Sequence, residues 1–449
     1  MEHIKHQYFF KYFVLSFLGI AFSGMSLSAQ ELLTLKRATE LVIENNLQIK
    51  QAQFTEAISD ENLQQSKLAL LPSLNANTSL NFNFGRSIDP LTNQFVNQAI
   101  TSTSGNLSSG TSLFQGFQKL NQISQNKLQL DADKSNTQKI KNDLILTVVT
   151  GYLSVLNAQD ILIASEQQLA ISKQQLDIEQ KFYDVGTKTL ADLSQAKSQL
   201  ASAELNVTNA QNQVDLAFLN LAQLLELDPS SVFVVEKPKM EDMSKLNSAY
   251  SSSDVFKSAS ASFPDIRLAE LRRQASEKGI DIAKGNYSPS INLQSGFGTR
   301  YSNGSFGNTS FSTQVKDNFN QFIGFGLSVP IFNGMAARSS VRRAKINFQN
   351  SLVNEQLAKN NLNKVINQAV YDLRAAEKRY YSTQTAFISS KDAFNVIEQR
   401  YSVGLVNSLD YNQAQTNLNK AQFDQIQAQY DFIFRSKVID FYLGNPLTF

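Results

Sequence analysis

The sequence has no cysteine and no tryptophan, and its only two histidines are His3 and His6. Without cysteine there is no disulfide, no thiolate nucleophile and no lipid-bearing N-terminal Cys. Beyond residue 6 the chain has neither His nor Cys, which most nucleophile–base pairs and transition-metal sites need. Carboxylate-only catalysis would need paired acids converging in a cleft, and none stands out beyond acids that cap helices. The expectation is no enzyme, no metal and no cofactor. Excess charge is lacking too: 41 Lys and Arg face 39 Asp and Glu, a formal net charge of +2. No global field points to nucleic acid. Aromatic residues are plentiful, with 31 Phe and 14 Tyr.

The N-terminus reads as an export signal. Lys5 and Lys11 give a positive start, Phe13 to Met25 an apolar run, and "SLSA" before Gln30 a small-residue cleavage site. The run is short of the roughly 20 residues that a spanning helix needs. Residues 1–29 are assigned to the signal.

An internal repeat organises the rest. "LLPSLN" (70–75) matches "YSPSIN" (287–292), and "LFQGF" (113–117) matches "IFNGM" (331–335). "YDVGTKTLADLSQAKSQL" (183–200) matches "YSVGLVNSLDYNQAQTNL" (401–418). The first copy spans 30–228 and the second 254–449, joined by a connector at 229–253 with one short strand near 231–236. Each copy reads as a helix (34–70, then 254–285), a strand (73–85, then 290–301) and a polar loop (86–103, then 302–318). A second strand follows (104–115, then 319–332), then a very long helix (117–184, then 335–402) and a returning helix (190–227, then 408–443).

The strands alternate. Leu74, Ala76, Thr78, Leu80, Phe82 and Phe84 face one way, with asparagines and Ser79 between them. Ile291, Leu293 and Phe297 repeat the pattern, as do Phe319, Ile323, Phe325, Leu327, Val329 and Ile331. The strand at 104–115 is weakest, with Leu107 and Leu113 sharing a face with Ser109 and Thr111. The polar faces carry Asn, Gly and Ser rather than charge, and the strands match the 9–11 residues of a tilted membrane strand. These features favour membrane-barrel strands over an ordinary half-buried sheet. A membrane sheet must close, and four strands are too few. Several chains must therefore pool their strands, at least three if a pore is to remain.

A helix of about 68 residues extends roughly 100 Å. The returning helix carries a heptad seam of Leu200, Ala203, Val207, Ala210, Val214, Ala217, Leu221 and Leu224. In the second copy Leu418, Ala421, Ala428, Phe432 and Ile439 form a rougher seam, broken by Gln425 and Arg435. Both seams read as packing between helices laid side by side.

The tips where the long helices turn back have their own signature. Gly186 and Gly404 suit a left-handed helix end. Thr189 with Asp192, and Asn407 with Asp410, have the spacing of a capping box. The capping role alone accounts for both acids. A ring of carboxylates around a pore is the other reading open to them. Lys188, opposite Val406, reads as a solvated surface lysine.

The doubled order, "LTLKRATELVIENNLQIK" (33–50), "FPDIRLAE" (263–270), the "P-S-L" and "P-S-I" strand starts, "LFQG", "PIFNG" and the "V-G" tips together resemble the TolC-like outer-membrane channel proteins of Gram-negative bacteria. The resemblance covers essentially the whole mature chain. It implies a mainly α fold with a membrane β-barrel: a homotrimer sharing a 12-stranded barrel and a 12-helix tunnel in the periplasm. It implies a passive exit duct of a tripartite efflux pump or type I secretion system, in outer-membrane lipid. A periplasmic adaptor would dock at the tips and an inner-membrane transporter would supply energy. By the same resemblance Asp410 maps onto an acidic constriction ring, whose companion acid is replaced by Gln413; Asp192 is counted with them as a constriction residue, with lining the pore or only capping its helix both open. Adaptor docking is expected at Val185, Gly186, Thr187, Val403, Gly404 and Leu405, with Thr189 and Asn407 as helix caps. The chief alternative is a coiled-coil scaffold that the barrel merely anchors. A diffusion porin is disfavoured, because it needs no 100 Å helices.

Overall fold

The computed structural model describes residues 31–88, 93–228, 233–237, 250–304 and 309–447. The expected export signal (1–29) and residues 229–232 and 238–249 of the expected connector lie outside the described residues. The chain opens with β1 (Glu31–Leu33), α1 (Leu35–Asn45) and α2 (Leu47–Leu68). One continuous helix was expected over 34–70, but Asn46 divides it. Its backbone is extended (φ −60°, ψ 130°) and its Oδ1 accepts the Gln48 N–H at 2.9 Å, so it ends one helix and caps the next.

The strand region follows as β2 (Ser73–Asn83), β3 (Arg86–Ile88), β4 (Phe95–Asn97) and β5 (Ile100–Gln115). The loop expected at 86–103 thus holds a small β3–β4 hairpin and the start of β5. The chain then runs down α3 (Gln118–Asp184, 67 residues) and back up α4 (Leu190–Leu224). At the sheet-to-helix corner Gly116 is left-handed (φ +58°), and a Cβ there would lie 2.6 Å from that of Ser288. Both conformation and space demand glycine at this corner.

β6 (Phe233–Val235) pairs in parallel with β1. α5 (Ser252–Ser262) and α6 (Pro264–Lys284) replace the single helix expected over 254–285. Phe263 is extended ahead of Pro264, which takes the first helical position. Then come β7 (Ser290–Ser302), α7 (Phe311–Asp317), β8 (Asn320–Ser328), α8 (Ala336–Ser402, 67 residues) and α9 (Ser408–Leu443). β8 is shorter than the expected 319–332, because Pro330 has no N–H to donate to a ladder. α7 was not expected. Its Gln314 exchanges hydrogen bonds with the Ser302 N–H and C=O, both at 3.0 Å, and Asn318 donates to the Arg300 carbonyl at 2.9 Å. These side chains complete the edge of β7 beyond the point where β8 begins.

The main sheet runs β2–β5–β7–β8, antiparallel throughout, leaving β2 and β8 as edges. Its register gathers Leu74, Leu80 and Phe82 with Leu107, Phe297, Ile323, Phe325 and Leu327 on one face. The opposite face carries Asn75, Asn77, Ser79 and Asn81 beside Ser104 and Asn106, and Ser79 meets Ser104 at 2.8 Å. A register shift between Ser112 and Phe114 skips Leu113, and Phe114 faces Ile291 in its place. Leu113 therefore does not continue the Leu107 row as strict alternation suggested.

Below the sheet the helices form a single row, α2–α3–α6–α8, which becomes α4–α3–α9–α8 toward the tips. The core lies at the waist, where Val148, Tyr152 and Leu156 of α3 meet Leu33, Val42, Leu221, Ile366, Leu373 and Phe432. The fully buried Tyr152 hydroxyl lies 2.9 Å from the carbonyls of both Leu33 and Glu236. It thereby pins the β1–β6 pair to the wall. The α4 seam is inside as expected, with Ala203, Ala210, Val214, Ala217 and Leu221 buried. Arg435, read as a break in the α9 seam, spans to Asp372 of α8 at 2.8 Å and to Asp431 at 3.1 Å.

Candidate functional site

The two tips start from the same local physics. Gly186 and Gly404 both adopt φ +76°, and the following N–H folds back to the last turn at 2.9 Å: Thr187 to Phe182, Leu405 to Arg400. Val185, Gly186, Thr187, Val403, Gly404 and Leu405 are all exposed. So are Leu190 and Leu409, which the sequence reading passed over as ordinary helix positions. Their place in the first turn after each cap was the available signal.

The tip acids then diverge. Thr189 and Asp192 form a complete capping box: the Thr189 hydroxyl accepts the Asp192 N–H at 3.2 Å, and Asp192 accepts the Thr189 N–H at 3.1 Å. The Ser408 hydroxyl of the other tip donates to the remaining Asp192 oxygen. The Ser408 bond foremost, and then Thr189, hold the Asp192 carboxyl down at about 2. In the second tip Asn407 accepts the Asp410 N–H at 2.8 Å. The Asp410 carboxylate returns no bond and makes none among the described residues, and it stands exposed. Only the first pair is therefore the reciprocal box that both spacings suggested. Gln413 is exposed and donates to Asn417 at 3.1 Å.

Behind the tips is an aromatic cluster of Phe394, Tyr401 and Tyr411, with Tyr401 and Tyr411 ring centroids 4.8 Å apart. Val406 packs against it, while Lys188 places its Nζ 4.8 Å above the Tyr401 ring. Lys188 is thus a packed cation, not the solvated lysine expected. α3 also buries Ser165, Gln168, Ser172, Gln175 and Glu179 at heptad spacing. The sequence reading missed this seam because it looked for apolar residues at those positions. Glu179 is 1% exposed; one oxygen accepts from Gln175 at 2.9 Å, and burial pushes its pKa up. Among the described residues no group of His, Cys, Asp or Glu could hold a metal ion.

A long helical row carrying an exposed amphipathic sheet and ending in blunt tips has the shape of a conduit wall. The family model described as outer membrane efflux protein matches residues 38–226 and 255–445. The chain belongs to that family. The chain is 23% identical over 420 residues to the outer membrane efflux protein BepC of Brucella suis, covering 93% of this chain and 87% of that one. It is 24% identical over 315 residues to the outer membrane protein TolC of Escherichia coli, covering 69% of this chain but 62% of TolC. The CmeC outer membrane channel of Campylobacter jejuni shares its fold, with a TM-score of 0.77 at 19% identity over 94% of this chain and 90% of that one. The chain accordingly works at the Gram-negative outer membrane, and its relatives include outer membrane efflux and channel proteins.

Proposed function

We propose that three copies of this chain form one channel-tunnel, the passive exit duct of a tripartite efflux pump or type I secretion system. The observation that carries this reading is the four-stranded sheet, apolar on one face, polar on the other and open at both edges, continuing into helices of 67 residues. A sheet of that kind in lipid has to close with further copies, its asparagine and serine face turned to water. The helical wall then extends the lumen roughly 100 Å from the barrel.

In this reading the exposed tip residues Val185, Gly186, Thr187, Val403, Gly404 and Leu405 receive a periplasmic adaptor, and an inner-membrane transporter drives the cargo. Asp410 lines the constriction, with Gln413 one turn further on. An uncommitted carboxylate suits a pore ring, and Asp410 is uncommitted where Asp192 is capped and bridged. Asp192 thus has a structural role at the mouth of the same pore.

Planar-bilayer recording on the purified protein tests the whole. Steady cation-preferring conductance is expected, and Asp410→Asn lowers the preference more than Asp192→Asn does. A protein that inserts yet carries no current is a scaffold. Unchanged selectivity in Asp410→Asn removes Asp410 from the constriction.

A further inference from the structure

One cavity in the helical wall belongs neither to the tips nor to the sheet. It lies between α3, α6 and α8, beside the end of α9, and holds about 510 Å³. On α8 its lining runs from Ser351 to Val365, fourteen residues or about 21 Å. That volume over that length leaves room for one hydrocarbon chain abreast. The walls suit such a chain. Leu268, Ala358 and Leu362 line the slot, and Phe263, Phe441 and Tyr442 bound the end near α9.

The charges around it are not equivalent. Lys139 stands 2.7 Å from Asp143 and 3.4 Å from Asp265, so one cation serves both acids. Arg272 lies seven residues along α6 from Asp265, toward the sheet. It lines the same cavity, is exposed, and makes no ion pair or hydrogen bond among the described residues. The slot thus has apolar walls, an aromatic end and, at the other end, one unengaged guanidinium.

We propose that the slot binds a single-chain organic anion. Its apolar tail lies along Leu268, Ala358 and Leu362 and points toward Tyr442, and its acidic head pairs with Arg272. β1 and β6 cover the other face of the wall, where Tyr152 of α3 reaches them. Asp143 precedes Tyr152 by nine residues, about two and a half turns, so the slot opens on the opposite face. In a closed tunnel the β1–β6 layer has no room inside, and the slot therefore faces the passage. That last step rests on the channel read above, and it gives the duct a resting place for amphiphilic anions partway along its wall. The binding itself does not depend on it.

The cysteine-free chain makes the test direct. Ala358→Cys puts one thiol in the slot, and Asn347→Cys puts one on exposed helix nearer the sheet. The protein in lipid nanodiscs is reacted with a charged maleimide, with decanesulfonate or decylammonium present below their micelle-forming concentrations. Decanesulfonate is expected to slow labelling of Ala358→Cys several-fold. Decylammonium, with the same tail, should not, and neither amphiphile should protect Asn347→Cys. Adding Arg272→Gln should raise the sulfonate concentration needed about tenfold, without changing the thiol's own reactivity. Val365→Cys, toward the aromatic end, repeats the measurement and guards against a slot disturbed by the first thiol. Equal protection by both amphiphiles, protection unmoved by Arg272→Gln, or protection at neither thiol overturns the proposal. Conductance without protection removes the slot and leaves the duct. Protection without conductance leaves the slot and removes the duct.

Discussion

The two tips share one skeleton, V-G-x-x-(T/N)-x-x-D, and one backbone, yet they spend their acids differently. Asp192 closes a capping box and accepts a bond from across the tips, whereas Asp410 receives a backbone cap and keeps its carboxylate free. A short local pattern thus secures a turn without deciding what its acid does. That depends on the partner tip: Ser408 reaches Asp192, and no described group reaches Asp410.

The largest effect should leave the two tips equal. Gly186→Val and Gly404→Val each force a β-branched residue to φ +76°, at a cost of about 1–2 kcal/mol. Amide hydrogen exchange should register the same loss of protection at each tip, and a clear inequality would mean that the turns are not equivalent. Next come the caps. Thr189→Ala and Asn407→Ala should each cost about 1 kcal/mol, with Thr189→Ala also loosening Asp192 and so exceeding its counterpart.

The acids themselves should then separate. Asp192→Asn and Ser408→Ala should each cost about 0.5–1 kcal/mol, with a double variant well short of their sum because they share one bond. Asp410→Asn should stay within about 0.5 kcal/mol of the parent while changing ion preference. The smallest effect is that of pH. The Asp192 carboxyl is lowered from 3.8 to about 2, so its stabilising effect is fully present above the ordinary value. That contribution fades as pH falls toward about 2. Hydrogen exchange across that acid range should show a step at the tips in the parent and not in Asp192→Asn.

Much of the fold was legible because its signals are local. Period-two alternation marked the strands, and the glycines and cap residues placed both tips within a residue or two of where they lie. Breaks at Asn46 and Phe263 were harder to see. Asn46 competes with helix only through its own side chain, and Phe263 breaks because of the proline after it. The hairpin at β3–β4 and helix α7 were hidden in polar composition. The buried Ser165–Glu179 seam was hidden by its polarity, although its heptad spacing was there to be read.

By itself, the sequence determined the strand faces, the long helices and the turns that join them, since periodicity and backbone preference act over a few residues. Only the tertiary structure decided that Leu113 leaves its row, that Lys188 lies on Tyr401, and that Asp192 is bound while Asp410 is free. Each of those outcomes depends on what another segment brings alongside: β7 opposite Leu113, α8 beneath Lys188, and Ser408 from 216 residues away. Distances across the chain are set by packing, and no local pattern encodes them.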